Sequence, residues 1–396
     1  MTQFLDLGFT PPADQFLKKE QLSEPETNYP LVVVRCDHCM FVQLNYVVPP
    51  DILYQHDYPY ESSVTKTGRK HFDTFAESVI KEFNVLPTDL AIDIGSNVGV
   101  LLNGFKQRGI RILGIDPAEN IADIAKKNGI PTIVGFFQTG IAKKVLKKYN
   151  RAKIITGSNV FAHIDNLVCF MEEVDKLLMP DGILIIEAPY LSNLIHNLEY
   201  DTIYHEHLSY LSITPLVPFF QKCSFEIFDV EQMEIHGGSN RLFVARSGEQ
   251  KARPSVEALL KAEDECKIHT LDTLNTFARD VANNRTELVS LLRDLKAQGK
   301  NIACVSAPAK GMTLLNYCQI GSDIIDFVTE KSELKIGSFT PGMHLEVKPD
   351  SALIDENIDY ALLLAWNFKN EIMKNLPQFK SRGGKFIIPI PKPTII

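Results

Sequence analysis

The sequence predicts an α/β protein of three parts: a small N-terminal domain around a cysteine pair, a central Rossmann-like domain, and a second Rossmann-like domain at the C-terminal end. Two observations carry this. Short apolar runs alternate with amphipathic segments of helical length in two separate regions, the pattern of parallel strands with helical crossovers. Between those regions lies a proline-free stretch of helical spacing that reads as a connector. The expected division is 1–80, 81–250 and 251–396.

Residues 1–80 are rich in Pro, Tyr and Asp, and no long helix is expected there. They contain Cys36-x-x-Cys39 and the run Tyr58-Pro-Tyr60-Glu-Ser-Ser63. Alternation then begins, with strands expected at 90–93, 110–115, 152–156 and 182–187. Helices are expected at 98–106, 118–128 and 167–178. Runs 225–228 and 241–245 flank His236-Gly-Gly238 and read as an antiparallel hairpin. Apolar positions from Val256 to Leu295 predict one or two long helices. A second α/β unit follows, with strands at 301–306, 324–328 and 360–365 and a helix at 311–318.

Bulk properties exclude several classes. The chain has 396 residues, a net charge of −8 and a pI near 5.7. Nucleic-acid binding calls for a basic face, and none is evident. No run reaches the roughly 18 apolar residues of a membrane helix, and the first residues lack a secretory pattern. Seven scattered cysteines suit a reducing compartment better than a disulfide framework. A cytoplasmic monomer or small homo-oligomer is expected.

Chemistry concentrates at Asp93-Ile-Gly95-Ser-Asn97-Val-Gly99, where a first strand feeds a first helix. Gly95 and Gly99 are read as letting the backbone approach a ligand, and the helix start offers free N–H groups. Asp116 ends the next strand, where a carboxylate accepts ribose hydroxyls. Dinucleotide loops place a glycine where Asn97 stands. Asp93 and Asn97 suit the ammonium of a methionine moiety, so S-adenosylmethionine (SAM) is favoured over NAD. Gly135-Phe136-Phe137 lies where a loop could cover an adenine ring. Two polar stretches fall at strand ends beside this crevice: Ser158-Asn159-Val-Phe-Ala-His163 and Tyr204-His205-Glu206-His207. Histidine beside carboxylate suits proton transfer near neutral pH. Cys36 and Cys39 supply half of a four-cysteine zinc site, with His38 and His56 as conceivable substitutes; a metal-free knuckle fits equally.

With these motifs in place, the sequence resembles the nucleotide-deoxysugar C-methyltransferases, which methylate C3 of a 4-keto hexose on a nucleoside diphosphate. The resemblance spans nearly the whole chain. It runs through Leu5-Asp-Leu-Gly8, Cys36-x-x-Cys39, Tyr58-Pro-Tyr-x-Ser-Ser63 and the glycine loop. Tyr204-x-Glu-His207, His236-Gly-Gly238, Ala309-Lys-Gly311, Thr313-Leu-Leu-Asn-Tyr317 and Pro341-Gly342 complete it. It implies a zinc-binding N-terminal domain, a SAM domain and a C-terminal domain, with a sugar nucleotide between the last two. By resemblance His207 is the base, oriented by Glu206 and Tyr204. His163, Tyr58 and Tyr60 contact the sugar and its enolate, and Lys310, Thr313 and Asn316 lie near the diphosphate. Two departures stand out. Only one N-terminal cysteine pair is present, and Ser306-Ala307-Pro308 replaces the usual second glycine turn, with Thr329-Glu330 after the next strand.

Overall fold

The computed structural model describes residues 1–54, 66–233 and 237–396. Strands β1 (Thr2–Thr10), β2 (Tyr29–Arg35) and β3 (Val42–Leu44) form an antiparallel N-terminal sheet. Leu5, Leu7, Leu31, Val33, Val42 and Leu44 are buried on one face. They do not make a core alone. They pack with residues 191–210 and with the long helix Leu271–Ala297, through Phe277, Val281, Leu288 and Leu292. A domain this small is marginal by itself, and here its apolar face is covered by the C-terminal half of the chain.

The central sheet contains β4 (Leu90–Ile94), β5 (Arg111–Asp116), β6 (Thr132–Val134), β7 (Ala152–Ser158) and β8 (Leu178–Pro189). The chain then makes β9 (Ser209–Tyr210), which leaves this sheet to pair antiparallel with β3. It returns as β10 (Phe225–Met233) and β11 (Ser239–Arg246), the expected hairpin. The order is β10-β11-β8-β7-β4-β5-β6, with β11 antiparallel to β8 and the rest of the crossover strands parallel. Every residue of β4 is buried, as strands covered on both faces require.

The helix Lys66–Glu82 contradicts the expectation of no long helix before residue 80. Its Phe72, Phe75, Ala76, Val79 and Ile80 recur at helical spacing and pack against Ala91, Leu102 and Phe105 of the central domain. Full burial of side chains such as Phe75 and Val79 stabilises by about 1.5–3 kcal/mol each, which outweighs the weak propensity of the intervening Thr, Asp, His and Ser. This helix belongs to the central layer, not to the N-terminal sheet.

The connector is two helices, Pro254–Glu265 and Leu271–Ala297, broken near Lys267, whose φ is 52°. Beyond it lie β12 (Ile302–Val305), β13 (Val328–Glu330), β14 (Val347–Pro349), β15 (Tyr360–Leu363), β16 (Lys385–Ile388) and β17 (Thr394–Ile395). They order as β14-β13-β12-β15-β16-β17, parallel except for the last pair. The strand expected at 324–328 begins only at Val328. Ile324 and Ile325 are buried in the preceding turn, so their apolarity reflects packing instead of a ladder.

Candidate active site

The turn after β4 carries left-handed backbone at Gly95 (φ 63°), Asn97 (φ 49°) and Gly99 (φ 81°). A Cβ on Gly95 would run into the Val160 side chain, and one on Gly99 into Ile130. The protein's own packing and the left-handed backbone therefore favour glycine at both positions, in addition to any close approach of a ligand. Asp116 closes the turn from the end of β5: its Oδ2 accepts the Asn97 N–H at 2.8 Å and its Oδ1 the Ala118 N–H at 2.9 Å. Asp93 is buried and accepts the Thr156 hydroxyl at 2.6 Å, and burial pushes its carboxyl up to about 7.

Three buried polar atoms around this turn have no hydrogen-bond partner: Ser96 Oγ, Ser158 Oγ and Asn159 Oδ1. Buried polar atoms are rarely left so, and these sit at the carboxyl ends of β4 and β7, where open α/β sheets bind ligands. Asp116 keeps lone pairs beyond its two backbone bonds. Orphaned acceptors and donors around a carboxylate-closed turn fit an adenosyl amino acid. Phe137 packs on Phe170 with ring centroids 5.1 Å apart and belongs to the core, whereas Phe136 meets Tyr54 edge-on at 6.4 Å.

From Tyr54 a row of rings leads to the proposed base. Tyr54 bonds His163 Nδ1 at 3.0 Å, and the His163 and His207 rings lie 4.9 Å apart. Tyr204 Oη lies 2.8 Å from His207 Nε2, and His207 Nδ1 lies 2.8 Å from the Thr202 carbonyl. A carbonyl only accepts, so Nδ1 carries a proton; when the ring is neutral, Nε2 then accepts from Tyr204. Burial, followed by the neighbouring His207, pulls His163 well below the usual range, and its Nε2 has no partner.

Glu206 departs from its expected role. Neither carboxyl oxygen has a hydrogen-bond partner, so it does not orient His207 directly. It is buried, and burial first and the charge of Asp14 second raise its carboxyl to about 8. Asp14 in turn bonds Lys335 at 3.2 Å, so the N-terminal and C-terminal parts of the chain meet beside Glu206. Tyr58, Tyr60 and His236 lie outside the described residues.

The C-terminal residues are likewise redistributed. Lys310 is partly buried against the Trp366 ring and Asn367, its ammonium lowered by burial and raised by Asp201 and Glu199. Thr313 donates to the Ile203 carbonyl at 3.0 Å. Asn316 donates to Met312 and Pro341 carbonyls. Both are thus committed to backbone carbonyls of the protein instead of facing an open crevice. The turn after β12 repeats the first one chemically: Ser306 has φ 69°, and Glu330 Oε2 accepts the Ala307 N–H at 2.8 Å.

Sequence reasoning missed Tyr54, Asp14, Lys335, Asp201 and Trp366, none of which has a local motif. It also missed a cluster under the helix Lys66–Glu82. There His71 bonds Glu187 at 2.7 Å, Arg241 bonds the other Glu187 oxygen at 2.7 Å, and its guanidinium covers the Phe75 ring at 3.6 Å.

Cys36 and Cys39 occupy a tight turn between β2 and β3, where Cys36 N–H donates to Phe41 O at 2.8 Å. Backbone N–H groups of Cys39 and His38 lower the Cys36 thiol. Among the described residues no group of three or more His, Cys, Asp or Glu side chains is placed to hold a metal ion. Two thiols alone do not fit a four-ligand zinc site, and His56 lies outside the described residues. Among those residues, too, no helix is long and apolar enough to cross a membrane.

A carboxylate-closed strand–helix turn beside a tyrosine–histidine pair fits a methyltransferase, and comparison with known proteins gives that class. Residues 86–230 match a methyltransferase domain family, residues 234–391 a C-methyltransferase C-terminal domain family, and residues 1–54 a family described as a candidate zinc-binding domain. The C-methyltransferase NovU of Streptomyces niveus is 34% identical over 99% of this chain and 93% of its own. The chain belongs to the C-methyltransferase family and is a SAM-dependent enzyme. A ubiquinone biosynthesis O-methyltransferase of Pelagibacter ubique is 24% identical over 28% of the chain and 48% of its own length. The SAH-bound magnesium protoporphyrin IX methyltransferase of Synechocystis aligns with a TM-score of 0.37 at 16% identity, over 48% of this chain and 90% of that one.

Proposed function

We propose that the enzyme methylates C3 of a nucleoside-diphosphate-linked 4-keto deoxysugar, with His207 as the base. SAM supplies an electrophilic methyl group. The supporting observation is the geometry of His207: Nδ1 lies 2.8 Å from Thr202 O, and Nε2 lies 2.8 Å from the Tyr204 hydroxyl. A neutral imidazole so arranged takes a proton directly or through the phenol. A C3–H beside a C4 ketone is the acidic proton such a base serves.

The oxygen that gains charge needs donors. In this reading Tyr54 donates to Nδ1 and His163 carries its proton on Nε2, which has no partner of its own, as a donor beside the base. Glu206, raised to about 8, is protonated at neutral pH and adds a second buried donor. Tyr58 and Tyr60 complete the sugar contacts in this reading. Asn159, Asp116, Asp93 and the turn from Gly95 to Gly99 hold the methyl donor, and Lys310 with the Ser306 turn faces the nucleotide. The nucleotide sugar is the small-molecule partner.

The test is incubation with SAM and a panel of nucleoside-diphosphate 4-keto sugars, locating the added methyl. In deuterated water without SAM, deuterium should enter the carbon beside the ketone. His207→Ala should lower turnover roughly 10²–10⁴-fold while still binding SAM. A methyl placed on oxygen, or near-normal turnover by His207→Ala, overturns the proposal.

A further inference from the structure

His207 Nδ1 faces the Thr202 carbonyl, and that carbonyl is positioned from elsewhere in the chain. Thr202 ends a short 3-10 turn, Tyr200–Thr202, held locally by Thr202, whose N–H and hydroxyl both donate to Glu199 O, and by Ile203 N–H, which donates to Tyr200 O. The remaining grip comes from the C-terminal half. Tyr200 donates to Asn284 at 2.9 Å, and Asn284 is itself fixed on the Pro389 and Pro391 carbonyls at 3.0 and 2.9 Å. The Trp366 indole N–H donates to Asp201 at 2.7 Å. Thr313 donates to Ile203 O at 3.0 Å. Residues on both sides of Thr202 are therefore held by three different elements of the C-terminal half, and of these partners Asn284 and Thr313 are buried.

We infer that Thr313 and Trp366 are positioning residues for the reaction: by clamping residues 201 and 203 they aim the Thr202 carbonyl at His207 Nδ1 and so fix which ring nitrogen is the base. This rests on the reading of His207 as base. Physically, a neutral imidazole has two tautomers of similar energy, and the hydrogen bond made by one nitrogen selects the role of the other. Thr313 is 3% exposed, so its hydroxyl has no alternative partner in water. Losing it leaves the Ile203 carbonyl buried and unsatisfied, and the turn shifts to find a donor. Displacements of about 1 Å near reacting groups cost up to about a hundredfold in rate. The C-terminal domain thereby sets the protonation pattern of a base it does not itself contain.

The test uses the full-length protein. Thr313→Val keeps shape and removes the donor, Thr313→Ser keeps the donor, and Trp366→Phe removes the second clamp. Long-range proton–nitrogen NMR reads the His207 tautomer, with the signal assigned by its loss in His207→Gln. Wild type and Thr313→Ser should show the Nδ1–H form alone. Thr313→Val should show a mixed population, and kcat should fall roughly ten- to a hundredfold with the SAM KM unchanged. Trp366→Phe should shift the same signal in the same direction, and it stands alone should Thr313→Val not fold. A wild-type tautomer in every variant that folds overturns the inference. Near-normal turnover by His207→Gln overturns the base assignment instead, while the tautomer measurement still reports on the clamp.

Discussion

The two Rossmann-like sheets build their first turns alike and use them differently. After β4, Asp116 accepts the Asn97 N–H; after β12, Glu330 accepts the Ala307 N–H, both at 2.8 Å. Both turns pass through left-handed backbone. The first does so at Gly95, Asn97 and Gly99, and leaves Ser96, Ser158 and Asn159 with unpartnered atoms around it. The second does so at Ser306, leaves one such atom, Thr329 Oγ1, and has its Ala307 carbonyl taken by Lys335 at 2.8 Å, which reaches on to Asp14. A turn whose surroundings keep polar atoms unsatisfied has room for a ligand's groups. One braced by the protein's own lysine serves as a joint between domains as much as a binding loop.

Substitutions can break this contrast. Gly95→Ala forces a Cβ at φ 63° into Val160; we expect destabilisation of about 1–3 kcal/mol and donor affinity lowered by more than about tenfold, read by calorimetry. Normal SAM binding would mean the first turn is not the donor site. Asp116→Ala should weaken SAM by roughly 10–100-fold, the worth of hydrogen bonds to a charged group. Glu330→Gln should leave SAM affinity unchanged and loosen the nucleotide sugar; equal effects of both on SAM would erase the distinction.

Asp93 sharpens the comparison through pH. Its value in the folded protein, about 7, lies above the ordinary 3.8. It therefore costs the fold nothing below about pH 4, and a penalty grows until pH 7. A bound ammonium would favour the carboxylate, so donor binding should release a proton below pH 7 and weaken as pH falls toward 5.5. In Asp93→Asn that pH dependence should flatten. The smallest effect is expected of Ser306→Gly, which relieves φ 69° and should raise stability by about 0.5–1 kcal/mol, seen in thermal melts, with SAM affinity unchanged.

What the sequence made legible was local. The turn from Asp93 to Gly99, the Asp116 carboxylate and the Tyr204–His207 pair each lie within one strand–helix or one short segment, where spacing alone fixes proximity. A further reason for the glycines lay out of reach of the sequence, because Val160 and Ile130 meet them from other elements. Glu206 was paired with its chain neighbour His207, yet its environment is set by Asp14 and Lys335, more than a hundred residues away in either direction. Thr313 and Asn316 look like ligand residues in a motif and turn out to grip backbone. The helix Lys66–Glu82 was hidden by polar residues between its five apolar ones. Sequence reports residue type and spacing well, and partner choice across domains poorly.

The two-residue strand β9 begins only two positions after His207 and is zipped to β3. Exchanging the N-terminal domain between relatives would therefore disturb more than the N-terminal sheet. It would re-tension the segment that bears the imidazole, so compatible swaps should be those that preserve the Val42–Tyr210 register. The small domain and the His207 segment are thereby joined through one strand pair.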